Sequence, residues 1–331
     1  MPSVFILGAT GYIGGSLLVR LLKEYPDWTF SALVRNEKHF EAIRSAGVTV
    51  VPGSFTDKSL ITDRSYSADI VINAADCDDI PLTEAILSGM RKRFQEGKQK
   101  GILIHTSGTG CFIDGKREGK FDPQGKIWND TNEDDIRSIT PAMPHGQVDV
   151  PILAAAGEGY INAYFICPGA ILGPSTGPVK SATIFLKHFL SAFTAFKGAV
   201  YVGDGTSEFA FVHLDDLLDL YLRVIDTAVS GKDADASPYA RYFFAASHGV
   251  AWKDSTAAVA AALHKRGRLD DATLTSVSIT EDSHPYRFLL YAASSERVVA
   301  ERGKTLGWNP RIFDLQSAVD ETIGDALSLG A

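Results

Sequence analysis

Short apolar blocks separated by mixed segments predict strands alternating with helices over the first 170 positions. The apolar blocks are nearly continuous, which is typical of strands buried on both faces of a sheet. Between them, apolar residues recur at helical spacing in 11–23, 40–46 and 81–99. This alternation predicts a parallel sheet with helices on both faces. The predicted strands are residues 3–7, 29–35, 48–53, 68–75, 101–108 and 163–169.

After Gly173 the alternation becomes irregular, which indicates a second structural unit. We expect a Rossmann-type, doubly wound α/β domain over residues 1–174, to which 206–228 returns. A smaller, interleaved C-terminal lobe for the substrate is predicted over 175–205 and 229–331. The predicted elements of this half are helices at 181–196, 214–227, 253–264 and 294–305 and a strand at 199–203.

Composition narrows the classes of function. The chain has 331 residues and a net charge of −8, and its basic cluster at 91–93 is typical of a solvated helix face, so we expect no nucleic-acid partner. No apolar run reaches the 18–20 residues that span a bilayer, and no targeting segment is visible. The scattered Cys77, Cys111 and Cys167 fit no metal or redox spacing, which predicts a cytoplasmic protein without a metal site.

A glycine-rich turn follows the first predicted strand and opens the first predicted helix. Gly8, Gly11 and Gly14 form G-x-x-G-x-x-G, which allows a tight turn, while the helix N-terminus offers free N–H groups to a pyrophosphate. The strand–turn–helix context makes this a dinucleotide site.

The end of the second strand indicates the type of dinucleotide. NAD sites usually carry an acid there, whereas this chain has Arg35, which suits a 2′-phosphate. We therefore expect NADP(H) in preference to NAD. The side chains and turns predicted to line this site are Gly8, Thr10, Gly11, Tyr12, Ile13, Gly14, Arg35, Ser54, Phe55, Ala74 and Ala75.

Five segments together resemble the short-chain dehydrogenase/reductase superfamily, in its extended and atypical, NmrA-like branches. They are "GATGYIGG" (8–15), "HTSG" (105–108), "CPGAILGP" (167–174), "FVHLDDLLDLY" (211–221) and "LGWNPR" (306–311). The resemblance implies that "CPGAILGP" touches the nicotinamide amide through its backbone. It adds Thr106, Pro168, Gly169 and Ile171 to the expected cofactor contacts.

The resemblance also implies a serine after the fifth strand and a Tyr-x-x-x-Lys pair on the next helix. Ser107 fits the serine, which would polarise a substrate carbonyl. The tyrosine and lysine positions, about two dozen residues before Pro168, hold His145 and Asp149. None of the eleven tyrosines has a lysine four residues later, so this chain lacks the pair.

His145 and Asp149 have two alternative roles. Four residues apart on one helix, they would pair so that the imidazole becomes a general acid or base near neutral pH. Alternatively, Asp149 binds ribose hydroxyls beside a His145 that transfers no proton. The predicted catalytic residues are Ser107, His145 and Asp149, and further candidates are His213, Cys111 and the segment His284-Pro285-Tyr286.

The sequence leaves three functions open. The first is an NADP-dependent oxidoreductase that reduces a small carbonyl, imine or enone, with His145 or a water it orients as the proton donor. The second is a non-redox isomerase, cyclase or lyase on the same scaffold, and the third is a regulator that senses NADP without turnover. The polar insertion 109–140 favours an enzyme, since it would close over a bound ligand.

The resemblance also bears on partners. Superfamily members often dimerise through two helices, here about 81–99 and 144–157. A homodimer is therefore one expectation, and packing of the second helix on the sheet alone is the other. We expect a small-molecule substrate and no membrane partner.

Overall fold

The strands form one large sheet and smaller sheets beside it. The computed structural model describes residues 1–279, 286–311 and 313–328. Its strands are β1 (Ser3–Leu7), β2 (Thr29–Val34), β3 (Thr49–Pro52), β4 (Ile70–Asn73), β5 (Gly101–Thr106), β6 (Trp128–Asn129), β7 (Ile161–Pro168), β8 (Ala170–Leu172), β9 (Ala199–Val202), β10 (Glu208–His213), β11 (Tyr242–Ala245), β12 (His248–Ala251), β13 (Leu274–Val277) and β14 (Val298–Val299).

The helices fill the connections between these strands. They are α1 (Tyr12–Glu24), α2 (Phe40–Ser45), α3 (Lys58–Ser67), α4 (Ile80–Gln95), α5 (Glu133–Arg137), α6 (Gly146–Gly157), α7 (Ile184–Phe196), α8 (Leu214–Ser230), α9 (Trp252–Lys265), α10 (Tyr286–Ala292), α11 (Arg302–Thr305) and α12 (Leu315–Ser328). None of these helices is both long enough and apolar enough to cross a membrane.

Seven parallel strands form the main sheet in the order β11-β7-β5-β4-β1-β2-β3. Strand order reverses between β1 and β4, so a crevice opens there at the carboxyl ends of the strands. Ile6, Val71 and Ile104 are almost fully buried because helices cover both faces. Helix α1 packs on α8, while α4 packs on α3 and α6. The predicted doubly wound α/β fold is confirmed.

A second hydrophobic core lies outside the main sheet. Strands β12, β10 and β8 form one small sheet, and β13 pairs with β9. Phe185, Phe189 and Phe193 line one side of α7 and pack in this core with Phe211 and Trp252. Their helical spacing therefore serves packing here. The substrate-binding role of this half stays a prediction.

The insertion 109–140 is tied to the rest of the fold through short elements. It begins with a 3-10 turn at Thr109–Phe112, pairs β6 with β14 and contains α5. Asp130 is fully buried, and its carboxylate accepts hydrogen bonds from the backbone N–H groups of Phe244, Glu301 and Arg302. The insertion thus joins β11 to the C-terminal segment.

Two expectations about elements need correction. The helix predicted at 294–305 is instead the strand β14 followed by the short helix α11, because residues 298–299 pair with β6. The helix expected to begin at Pro144 begins at Gly146, with His145 as its N-cap in the left-handed conformation. The sequence pattern also did not predict β11, the edge strand of the main sheet.

Candidate active site

The glycine turn after β1 packs against the end of β4. Gly8 has a φ of +92°, and a Cβ there would lie 2.3 Å from the carbonyl oxygen of Ala74. A Cβ on Gly14 would lie 2.3 Å from the carbonyl oxygen of Gly8. At position 8, only glycine allows both the positive φ and the close approach to Ala74. Thr10 lies within this turn, and Ala75 continues the chain after Ala74, where its N–H donates to the Asn73 side chain.

Helix α1 begins at this turn with its end open to an anion. Its N-cap, Gly11, contributes no side-chain hydrogen bond, and the first turn carries no acidic residue. The first N–H groups and the positive end of the helix dipole therefore face the crevice. Ile13 packs partly buried on the main core, while the Tyr12 hydroxyl donates to the carbonyl oxygen of Gly173. Two of the predicted cofactor residues thus fix the helix to its surroundings.

Arg35 and Phe55 form a stacked pair at the ends of β2 and β3. The Arg35 guanidinium lies 4.6 Å from the centre of the Phe55 ring. Within the described part of the chain, no carboxylate forms an ion pair with Arg35, which is exposed. Beside them, the Ser54 N–H donates to Asp57, which shapes the turn after β3. The pair offers a flat surface and an available positive charge.

The residues implied by the resemblance near the nicotinamide are mostly packed inward. The Thr106 hydroxyl bonds to that of Tyr221, and Ile171 pairs with Val212 inside the small sheet. The Pro168 carbonyl accepts from Thr109, and a Cβ on Gly169 would lie 2.2 Å from the carbonyl oxygen of Ala210. The side chains of Thr106 and Ile171 are therefore engaged within the fold.

Asp149 is fully buried at the centre of a polar network. One carboxylate oxygen accepts from the hydroxyls of Ser107, at 2.6 Å, and Tyr242, at 2.7 Å. The other lies 3.4 Å from Nε2 of His105, whose Nδ1 lies 3.3 Å from the Asn73 amide. Burial raises the pKa of Tyr242 well above its usual value, and the charge of Asp149 adds to this. Both hydroxyls are therefore held as donors to Asp149.

His145 contacts Asp78 and Cys77 rather than Asp149, so the first of the two alternative roles, in which these two residues pair, is wrong. Its backbone adopts φ 62° and ψ −15°, which is uncommon outside glycine. Nδ1 lies 3.0 Å from a carboxylate oxygen of Asp78 and 3.3 Å from Sγ of Cys77. The ring lies against Gly108, where a Cβ would be 2.9 Å from Nε2. A left-handed N-cap aims the imidazole at the loop after β4.

The electrostatic environment of His145 favours its charged form. Burial lowers the pKa of the imidazole, but the hydrogen bonds and charges of Asp78 and Cys77 outweigh this and raise its pKa to about 11. The nearby Glu296 is fully buried, and burial raises its pKa to about 8 although Thr109, Ala210 and His145 partly offset this. Glu296 is therefore an acid that keeps its proton at neutral pH.

Sequence reasoning missed Cys77 and Asp78 as site residues, as well as His105, Tyr242 and Glu296. Cys77 and Asp78 follow β4 at the carboxyl edge, which is a signal that the sequence carries. His105, Tyr242 and Glu296 come from distant parts of the chain, and only the fold brings them to this edge.

The remaining candidates fall outside this group or into the core. His213 caps α8, where it accepts from the Asp215 N–H. Cys111 is buried, which raises the pKa of its thiol. His284 and Pro285 lie outside the described residues, as does the side chain of Tyr286.

Sequence comparisons identify proteins that are similar to this chain. Residues 2–90 match the model of the NmrA-like family. Oxidase ucsJ of Acremonium sp is 26% identical over 324 residues, which cover 93% of this chain and 92% of that protein.

Solved structures extend the likeness over the whole chain. The PbgP3 protein of Burkholderia pseudomallei superposes with a TM-score of 0.68 at 15% identity, covering 98% of this chain and 96% of that one. UDP-glucose 4-epimerase of Thermotoga maritima, solved with UDP-glucose, superposes with a TM-score of 0.67 at 14% identity. The superposition covers 99% of this chain and 100% of that one. The dTDP-glucose 4,6-dehydratase of Bacillus anthracis, solved with NAD, superposes with a TM-score of 0.62 at 14% identity. The superposition covers 99% of this chain and 97% of that one.

The resemblance to the extended and atypical, NmrA-like branch of the short-chain dehydrogenase/reductase superfamily is thereby confirmed. The chain shares the fold of these solved structures, and its residues 2–90 are similar to the NmrA-like family. Where the resemblance implies tyrosine and lysine, this chain has His145 and Asp149, which face different neighbours.

Proposed function

We propose that this protein is an NADP-dependent oxidoreductase that reduces a small carbonyl, imine or enone substrate. The observation that carries the proposal is the exposed Arg35 guanidinium stacked on Phe55, beside the glycine turn and the open end of α1. A dinucleotide lying across the crevice would place its pyrophosphate at α1 and its adenosine on this pair. A guanidinium without an acidic partner suits a 2′-phosphate.

The redox class is supported by the relative named an oxidase, and a nicotinamide cofactor by the neighbour solved with NAD. That neighbour's NAD says nothing of a 2′-phosphate, so the preference for NADP rests on Arg35 alone. The small molecule would lie over the nicotinamide, between the ends of β4 and β5 and the start of α6.

The catalytic groups in this proposal differ from the superfamily pattern. The Ser107 hydroxyl donates to Asp149, so it offers lone pairs rather than a proton to the substrate. Asp149 is buried and serves to orient Ser107. Activation of the electrophile therefore falls to the His145 side of the crevice, where His145 or a water that it orients supplies the proton.

Titration of the purified protein with NADPH and NADH tests the cofactor preference. We expect tighter binding of NADPH, and we expect Arg35→Ala to weaken NADPH binding by about 10- to 100-fold while NADH changes little, because a charged hydrogen bond is worth about 1.5–3 kcal/mol. Arg44→Ala is the matched control, since Arg44 also stacks on a phenylalanine nearby. Equal losses for both dinucleotides, or none, would contradict the assignment of Arg35.

Turnover tests the redox class separately. Oxidation of NADPH with a panel of small carbonyls, imines and enones, and its loss in His145→Asn, is the expected result. Asparagine tolerates the left-handed backbone at this position, so the fold is expected to survive. Substrate conversion without net NADPH consumption would point instead to the non-redox alternative.

A further inference from the structure

Three potential metal ligands converge at the carboxyl edge of the sheet. They are the thiol of Cys77, the carboxylate of Asp78 and the imidazole of His145, and one ligand atom of each lies within 4.8 Å of the other two. Cys77 and Asp78 come from the loop after β4, whereas His145 is 68 positions further along from Cys77. We infer that these three side chains bind a divalent transition cation of the zinc type.

Two of the three distances between ligand atoms suit a tetrahedral ion. Zinc bonds of about 2.0–2.3 Å to nitrogen, oxygen and sulfur place neighbouring ligand atoms about 3.2–3.7 Å apart. Nδ1 of His145 lies 3.0 Å from Asp78 and 3.3 Å from Cys77, close to that spacing. The Asp78 side chain is 61% exposed. A nitrogen, a thiolate and a carboxylate together favour a borderline metal over magnesium or calcium.

Nδ1 of His145 is approached by both Sγ of Cys77 and Oδ1 of Asp78, so the three atoms surround a common centre. A cation at the shared centre would accept a lone pair from all three atoms. The geometry of His145 is held by its left-handed backbone and by contact with Gly108.

The position of the cluster gives the ion a role, provided that the proposed function holds. Three protein ligands leave a fourth tetrahedral position, which is the arrangement of catalytic zinc sites. The cluster sits beside the ends of β4 and β5, where the substrate would meet the nicotinamide. An ion there would polarise the substrate oxygen or lower the pKa of a bound water, and so replace the missing tyrosine hydroxyl.

Binding is measured on the full chain without dinucleotide. After removal of metals, titration with Zn²⁺ is expected to give one site per chain, and Co²⁺ is expected to give a sulfur-to-cobalt charge-transfer band. Zn²⁺ binding should weaken at least about 10-fold in each of the variants Cys77→Ser, Asp78→Asn and His145→Asn. Losing even a residue that supports a metal ligand through a hydrogen bond lowers the metal affinity about 10- to 100-fold. The charge-transfer band should vanish in Cys77→Ser.

Two controls match the charge and the thiol. Asp76→Asn removes a neighbouring negative charge but keeps the oxygen that accepts from the Asp78 N–H, and Cys111→Ala removes a buried thiol outside the cluster. Both should bind Zn²⁺ like the parent protein. The inference would be overturned by an absence of stoichiometric Zn²⁺ binding, by Cys77→Ser and His145→Asn binding Zn²⁺ as tightly as the parent protein, or by Mg²⁺ competing as well as Zn²⁺.

The outcome is separable from that of the proposed function. NADPH binding is measured on the same proteins with and without Zn²⁺. If the protein binds NADPH but no Zn²⁺, only the cation site is rejected. If it binds Zn²⁺ stoichiometrically but no NADPH, only the cofactor assignment is rejected.

Discussion

At the scale of single residues, His145 and Asp149 have different surroundings although they lie four positions apart. Asp149 is fully buried yet accepts from two hydroxyls, whereas His145 is held against Asp78 and Cys77. The two residues occupy the positions of one superfamily motif but no longer act as a pair. The roles of the two residues follow from their neighbours in space, and the spacing in the sequence alone does not indicate those neighbours.

Glu296 gives a prediction about pH and stability. Its pKa is raised by burial to about 8 in the folded protein, above the ordinary glutamate value, so the folded state binds this proton more tightly. The associated stability is present below about pH 4.5 and is lost as the pH rises through about 8. At about 1.4 kcal/mol per pKa unit, the loss amounts to a few kcal/mol. Urea unfolding across pH 5–9 measures it.

The variant Glu296→Gln should show a flatter pH profile of unfolding free energy over this range. Glu84→Gln is the control, since Glu84 is exposed and pairs only loosely with Lys58. If Glu296→Gln and the parent protein lose stability in parallel between pH 5 and 8, Glu296 is not the group that titrates.

At the scale of elements, the turn between β1 and α1 is fixed by backbone contact with β4. Close approach of Gly8 to Ala74 sets the direction in which the N-terminus of α1 faces the crevice. Any side-chain atom added at Gly8 would therefore disturb the turn between β1 and α1. The same turn carries the predicted pyrophosphate contacts, so stability and binding are coupled there.

Gly8→Ala is expected to destabilise the fold and to abolish NADPH binding. Gly47→Ala separates backbone strain from steric clash, because Gly47 also has a positive φ of +84°, but a Cβ added there would meet nothing within 4 Å. The control should cost only the left-handed penalty of about 1–2 kcal/mol, and its NADPH affinity should be unchanged. Urea unfolding and NADPH titration compare the two, and equal effects would argue against the close contact with Ala74.

At the scale of the whole molecule, distant segments are joined through one buried carboxylate. Asp130 in the insertion accepts N–H groups from β11 and from the start of α11, and its own carbonyl accepts from the Arg302 side chain. The insertion, the edge of the main sheet and the C-terminal segment thus share one anchor.

Asp130→Ala is expected to lower the unfolding free energy by about 3 kcal/mol or more. Three backbone N–H groups would lose their partner, and each unsatisfied buried group costs about 1–3 kcal/mol. Asp134→Ala, an exposed acid of the same insertion, should cost at most about 1 kcal/mol, the worth of a charge at a helix N-terminus. Similar losses in both variants would show that the anchor contributes little.

The sequence by itself determined the layers of the fold and predicted where a nucleotide would bind. Buried parallel strands have near-continuous apolar runs, and a glycine turn between a strand and a helix is a local pattern, so both can be read along the chain. The position of His145 follows from its distance of about two dozen residues to Pro168 in "CPGAILGP". These features depend on neighbours within about 25 residues.

Only the tertiary structure decided what the site contains. His105, Asp149 and Tyr242 form one network from β5, α6 and β11, and Cys77 with Asp78 meets His145 from another loop. The missed strand β11 and the strand β14 likewise exist because of pairing with distant segments. Contacts between residues so far apart depend on how the elements pack, and periodicity along the chain carries no record of that packing.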